Sequence, residues 1–381
     1  MVNTAPTRNH HRLRVGVVAV AALVALTGCA GNSSSPAPSA TTTSTASATP
    51  STSVTVAPAT GSATGSNSYV VLGDSYSAGV GAGGSTGSCY RSPKGYGPLV
   101  AAQYDLQLSY QACGGAMISD VLSKQLGTLS ASTSRVSLSI CGNDVGFGFV
   151  LFVCGAPSWL SDCRGTIASG QSTLRTTLPA RLQTLFTQIR AKAPRAKVSI
   201  VGYPHLFGDR DCNALTFFSG PDRDALDTAT DQLDTLLQKT ATAYGFGFVD
   251  PRPTFEAHTP CTSQPWINGL AFPFGDSYHP DIPGQQAFAS LVGPALNPKS
   301  AAAPRVTARS SQPSVQTVAT AVLAMRLDQP TQLRAAQQGG VDTAQVKTYV
   351  QNLRSKDQAT MAAGIDGLRG LDRAHTARTG K

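Results

Sequence analysis

The chain has 381 residues, 41% of them hydrophobic and 13% charged, with eight cysteines and a formal net charge of +9. That charge is uneven: from residue 299 onward twelve Lys/Arg stand against five Asp/Glu, three arginines precede residue 15, and the stretch between holds fifteen basic and sixteen acidic residues. A near-neutral central region excludes a polyanion-binding surface there, and the chain carries no repeat or nucleic-acid motif.

Arg8, Arg12 and Arg14 precede an apolar run over 15–26 that is too short to span a bilayer and has the form of an export signal. The run ends in Leu26-Thr-Gly-Cys29, which resembles a bacterial lipobox, so cleavage after residue 28 would leave Cys29 as a lipidated N-terminus; an ordinary secretory signal is the alternative. Residues 29–67, built from Ser, Thr, Ala, Pro and Gly without a charge, cannot bury enough apolar surface to offset ordering entropy and read as a disordered tether. Its reach is on the order of 35 Å. The expectation is an exported protein, lipid-anchored on the outer face of the cell membrane or secreted.

Next comes Val70-Val-Leu-Gly-Asp-Ser-Tyr76, an apolar run that reads as a buried strand delivering Ser75 at its tip. Further strands are predicted at 107–112, 136–141, 198–202 and 247–250, and helices at 174–192 and 222–244, where leucines recur at helical spacing. Such alternation argues for a parallel sheet with helices on both faces. Ser75, Gly115 and Asn143 then lie just beyond the carboxyl ends of strands, where these sheets place ligands. Gly79-Val-Gly-Ala-Gly-Gly84 matches the dinucleotide fingerprint, but its glycines start several residues after the strand and open no helix, so it reads as a loop over the site.

A serine hydroxyl needs a base, a group that orients the base, and donors for an oxyanion. His279 is the candidate base, Asp276 the candidate orienter three residues before it, and the Asn143 amide and the unobstructed Gly115 N–H are candidate donors. Taken singly, Gly-Asp-Ser and Asn-Asp are more often turns or helix caps, and a lone His before proline is more often a loop residue. Of the other histidines, His205 reads as a rim residue at a strand end and His258 as structural.

These four pieces, in this order, resemble the SGNH hydrolases, or GDSL esterase/lipase family, over about residues 69–294. The secreted, disulfide-bearing bacterial branch is suggested by Cys89-Tyr-Arg-Ser92, Gly142-Asn-Asp-Val-Gly-Phe147, Gly202-Tyr-Pro204 and Pro265-Trp-Ile267. The resemblance implies an α/β fold, a three-layer α/β/α sandwich on a central five-stranded parallel sheet of flavodoxin type, over 68–298. It implies a Ser75, His279, Asp276 triad, with Ser75 N–H, Gly115 N–H and Asn143 as oxyanion hole. It also implies disulfides joining Cys89 with Cys113, Cys154 with Cys163, and Cys212 with Cys261, leaving Cys141 free where the family carries glycine. Some relatives use a main-chain carbonyl in place of the acid.

Residues 299–381 form a basic, Ala/Gln-rich tail with amphipathic stretches at 315–327 and 341–353, read as a mostly solvated, partly helical or disordered extension; a helical pair, or an electrostatic contact with anionic lipid or wall polymer, is the alternative. The functional expectation is an exported serine hydrolase of short-chain or lipid esters, with Trp266 and Phe147 as apolar contacts to the acyl group. An O-deacetylase of envelope glycans, or a non-catalytic envelope-binding lipoprotein with its site closed by Cys141, are the alternatives. No cofactor and no metal are expected, since no Cys/His spacing matches a zinc set. The expected partners are an ester substrate and, through the anchor, a membrane, with no nucleic acid and a monomeric state.

Overall fold

A computed structural model describes residues 66–208, 211, 216–297 and 314–380. The signal, Cys29, most of the tether, Cys212 and the start of the tail lie outside the described residues.

Five strands form one sheet: β1 (Ser68–Gly73), β2 (Gln107–Tyr110), β3 (Arg135–Ser139), β4 (Lys197–Val201) and β5 (Gly247–Val249). Their order is β2-β1-β3-β4-β5 and every pairing is parallel. Each lies within two or three residues of its predicted limits. All six residues of β1 are buried, as a central strand covered on both faces requires. Helices supply that cover. On one face lie α1 (Ser75–Ala78), α2 (Tyr96–Gln103) and, from late in the chain, α9 (Ile282–Leu296). On the other lie α3 (Ile118–Asp120), α6 (Leu178–Lys192) and α7 (Gly220–Ala243), with α4 (Phe147–Cys154) and α5 (Cys163–Thr176) outside them; the short α8 (Arg252–Phe255) follows β5. The sheet switches direction at β1, whose neighbours are β2 on one edge and β3 on the other. That switch opens a crevice beyond the strand ends, at Ser75.

The single helix predicted over 174–192 is two. Pro179 stands near the start of α6. It has no N–H to donate and its ring clashes with a preceding turn, so α5 stops and α6 begins afresh at Leu178.

The tail differs most from expectation. Instead of a largely solvated extension, residues 314–380 form α10 (Val315–Ala324), α11 (Pro330–Gln338), α12 (Thr343–Asn352) and α13 (Gln358–Thr379) around a core of their own. The two amphipathic stretches are α10 and α12. Met361, Ile365 and Leu368 line the buried stripe of α13 at helical spacing. The composition misleads because small residues here serve close approach: a Cβ on Gly367 would stand 2.4 Å from the Tyr349 ring, and one on Gly364 2.7 Å from Tyr349 O. Trp159 and Phe217, from the part of the chain bearing the sheet, complete this core. Beside them Asp372 accepts the N–H and O–H of Ser158, each at 2.7 Å, and Arg369 donates to Asp211 O at 2.6 Å.

Leu368 has no exposed surface, so Leu368→Ala should lower the unfolding free energy by about 3 kcal/mol in chemical denaturation, whereas a solvated extension would give less than about 0.5 kcal/mol.

Candidate active site

β1 ends at Gly73 with φ +117°, and a Cβ there would stand 2.1 Å from Ser139 O on β3. Only glycine lets the chain turn this close to its neighbour. The buried Gln125 amide holds the Gly73 backbone at both ends, accepting its N–H at 2.7 Å and donating to its carbonyl at 2.9 Å. Asp74 caps α1, accepting the Tyr76 N–H at 3.0 Å. Ser75 is therefore the first residue of a four-residue helix, half-buried at the strand tip.

His279 reaches this serine from the loop before α9. Its Nε2 lies 2.7 Å from Ser75 Oγ, and its Nδ1 lies 2.9 Å from Ser277 O. A carbonyl only accepts, so Nδ1 carries the proton and Nε2 is left bare to take the hydroxyl proton. Burial pushes the imidazole pKa down to about 4, against the pull of the Ser277 carbonyl. The residue as a whole is half-buried. Gly81 of the glycine-rich loop lies against His279, with room for no Cβ, and the Tyr76 ring stands 5.2 Å away.

Asp276 does not orient His279. The spacing of three is taken up by a tight backbone turn, with the His279 N–H on Asp276 O at 3.3 Å. This turn presents the Ser277 carbonyl to the ring. The Asp276 carboxyl is raised by burial, with a backbone hydrogen bond from Gly81 opposing the rise.

The expected donors gather on the neighbouring strand ends. The Cys113 N–H donates to Gly73 O at 2.9 Å, bringing Gly115 (φ +79°) beside the serine turn. Asn143 follows β3 and donates one amide hydrogen to Ala116 O at 3.0 Å, and among the described residues its second N–H meets no acceptor. Asp144 accepts the Ile118 N–H at 3.0 Å and faces Arg181 at 3.6 Å, pinning the same loop. Among the described residues no acceptor is recorded for the N–H groups of Ser75 and Gly115.

Cys141 has φ +102°, a conformation side chains rarely adopt. Its thiol belongs to the hydrophobic core with no exposed surface, and burial pushes its pKa well up. It does not project into the cleft. Cys89–Cys113 and Cys154–Cys163 are disulfides, and Cys261 is disulfide-bonded, while its expected partner lies outside the described residues.

Trp266 and Phe147, expected as apolar contacts to the acyl group, are each half-buried against other side chains. Trp266 stacks on His258 at 3.4 Å and packs against Phe255, and Phe147 packs against the core. The exposed large apolar side chains are instead Met117, Phe149, Phe152, Phe272 and Phe274, with Tyr90 in the disulfide loop. A cleft of ≈ 460 Å³ adjoins the Asn143 loop, bounded by Asp144, Val145, Gly146 and Phe149. His205 pairs with Asp231 at 2.8 Å. Among the described residues no group of His, Cys, Asp and Glu could hold a metal, and no helix is long and apolar enough to cross a membrane.

Three side chains or carbonyls escaped sequence reasoning: Gln125, the Ser277 carbonyl and Tyr203. Of these only Tyr203 carried a signal, since Gly202-Tyr-Pro204 lies at the carboxyl end of β4, a position where such sheets build sites.

Residues 71–287 match the model of the GDSL-like Lipase/Acylhydrolase family. The chain is 41% identical over 242 residues to Lipase 1 of Streptomyces coelicolor, covering 60% of this chain and 89% of that protein. The solved extracellular lipase of Streptomyces rimosus is similar at 37% identity and a TM-score of 0.57, over 61% of this chain and all of that one. Phospholipase A1 of Streptomyces albidoflavus is similar at 38% identity and a TM-score of 0.57, over 63% of this chain and all of that one.

The buried, raised Cys141 thiol should resist a disulfide-exchange reagent in the native protein and react only once denatured. Stoichiometric labelling of Cys141 under native conditions would contradict its placement in the core.

Proposed function

The chain belongs to the GDSL-like lipase/acylhydrolase family and is an ester hydrolase, and on that premise we propose that Ser75 and His279 carry the reaction as a pair braced by the Ser277 carbonyl. The observation that supports this most directly is the 2.7 Å contact between His279 Nε2 and Ser75 Oγ, with Nδ1 satisfied by a main-chain acceptor. Nε2 takes the hydroxyl proton as Oγ adds to the ester carbonyl. The negative charge that forms falls to the Ser75 and Gly115 N–H groups and the free Asn143 N–H, where each donor is worth about 3 kcal/mol. His279 then hands the proton to the departing alcohol, leaving an acyl-Ser75 ester, and a water activated by the same imidazole releases the acid.

A carbonyl in place of a carboxylate fixes the tautomer but brings no full negative charge to the imidazolium. Burial lowers the pKa of this ring. The base stays neutral to lower pH than a free imidazole would.

The substrate is proposed to be an apolar acyl ester, of a lipid or a short chain. Five exposed Met and Phe side chains on the segments next to Gly115, Asn143 and Asp276 support this, as does the absence of any charge from residue 145 to 161. The lipid-directed names of the relatives agree with it. Export rests on the N-terminal pattern, on disulfides that need an oxidising compartment, and on the extracellular relative. Lipidation at Cys29, the tether over 29–67, a hydrolase domain over 68–298 followed by a tail from 299, and a monomeric state remain part of the proposal.

Hydrolysis of acetyl, butyryl and long-chain p-nitrophenyl esters tests it. Ser75→Ala and His279→Ala should each lose at least about 10⁴-fold in kcat. Asp276→Ala should stay within about tenfold; a loss near 10⁴-fold, as for a true triad carboxylate, would restore Asp276 to the mechanism. Protonating His279 removes the base, and its pKa is held below the usual 6.5, so the acid limb of kcat/KM should have its midpoint below pH 6.5. A midpoint above that value would contradict the neutral, carbonyl-braced imidazole.

A further inference from the structure

We propose that Tyr203 is a positioning residue for acyl transfer: one phenol oxygen ties the Asp74 carboxylate, next to Ser75, to the Gly142 N–H, next to Asn143. The inference rests on the roles proposed above for Ser75 and Asn143.

Tyr203 follows β4, which pairs with β3 and not with β1. Its ring nevertheless reaches past the end of β3 to the end of β1. There its hydroxyl donates to Asp74 Oδ2 in a short hydrogen bond, and its oxygen accepts the Gly142 N–H at 3.1 Å. The other Asp74 oxygen accepts the Tyr76 N–H at the start of α1. A continuous chain of hydrogen bonds thus runs from the backbone preceding Asn143, through one phenol and one carboxylate, to the turn that bears Ser75. A phenol supplies one donor and one acceptor, and both are used.

The peptide being held follows a strained residue. Cys141 has φ +102°, a conformation that persists only where the surroundings over-determine it. The Tyr203 oxygen is one such contact, beside the Val145 N–H on Cys141 O and the Phe147 N–H on Gly142 O. Tyr203 is itself anchored: its N–H donates to both oxygens of buried Asp234 at 3.0 and 3.2 Å, and its ring meets Tyr76 edge-on at 5.1 Å. Asp234 in turn faces Arg252 at 3.6 Å. Donors of an oxyanion hole act only when held within tenths of an ångström of the developing charge. Tyr203 ties the Ser75 turn and the Asn143 loop to a third strand, so their spacing does not depend on either loop alone.

Steady-state and pre-steady-state hydrolysis of p-nitrophenyl butyrate by the full chain tests this, comparing wild type, Tyr203→Phe and Asp74→Asn, with Ser75→Ala alongside. Tyr203→Phe should lower kcat and the acylation burst rate together by about 10²-fold with KM within about threefold. Asp74→Asn keeps an acceptor for the Tyr76 N–H and the shape of the side chain, so it should fold even where Tyr203→Phe does not. It should lose about tenfold in kcat at unchanged KM. Wild-type kcat in either folded variant, or a loss confined to KM, would overturn the proposal. Turnover surviving in Ser75→Ala would instead overturn the reading of Ser75 beneath it, whatever Tyr203 does.

Discussion

The whole site hangs on the approach of β1 to β3 at their carboxyl ends. Gly73 passes so near Ser139 O that any side chain would collide, and the Asp74 N–H donates to the same carbonyl at 2.9 Å. Because both strands are buried and parallel, this contact cannot relax sideways. It places the serine turn against the Asn143 loop, and Cys113 and Gln125 complete the enclosure by bonding to the Gly73 backbone. A topological switch in the sheet becomes a chemical site because the chain can turn sharply only there.

Around that contact Asp74, Tyr203 and Asp234 are buried and paired within the protein. Asp74 is raised to about 7 by burial, with hydrogen bonds from Tyr203 and Tyr76 pulling it back. Asp234 is raised to about 8 for the same reason, while it holds the Tyr203 N–H. Buried groups paired in this way are held rigidly, since breaking a link orphans its partner. Rigidity is what donors aimed at a transient charge require, so the polar interior serves geometry more than net stability.

How much was legible in the sequence follows from how local each feature is. Ser75, Asn143 and the five strands announce themselves through apolar runs that end on small polar residues, a pattern set within six or seven positions. The pairing of His279 with Ser75 was legible only as chemistry, because 204 residues separate them. Asp276 misled because a spacing of three suggests side-chain contact, while a backbone turn hands the same role to the next carbonyl. Tyr203 acts across two strands, and strand order is a property of the sheet rather than of any segment. The C-terminal helices were half legible: α10 and α12 show apolar stripes, whereas α13 hides its stripe among the glycines that let it approach Tyr349. Those helices enclose Trp159 and Phe217, so the last part of the chain shares a core with the segments that flank the cleft.

A single covalent event lies at the centre of this description: capture of the acyl group by Ser75 under the action of His279. Treating the native full chain with a fluorophosphonate and reading the adduct by peptide mass spectrometry tests it directly. One phosphonyl group on Ser75, absent from His279→Ala and from protein denatured before treatment, is the predicted result. A native, His279-containing protein that leaves Ser75 unmodified, or that labels elsewhere, would contradict it.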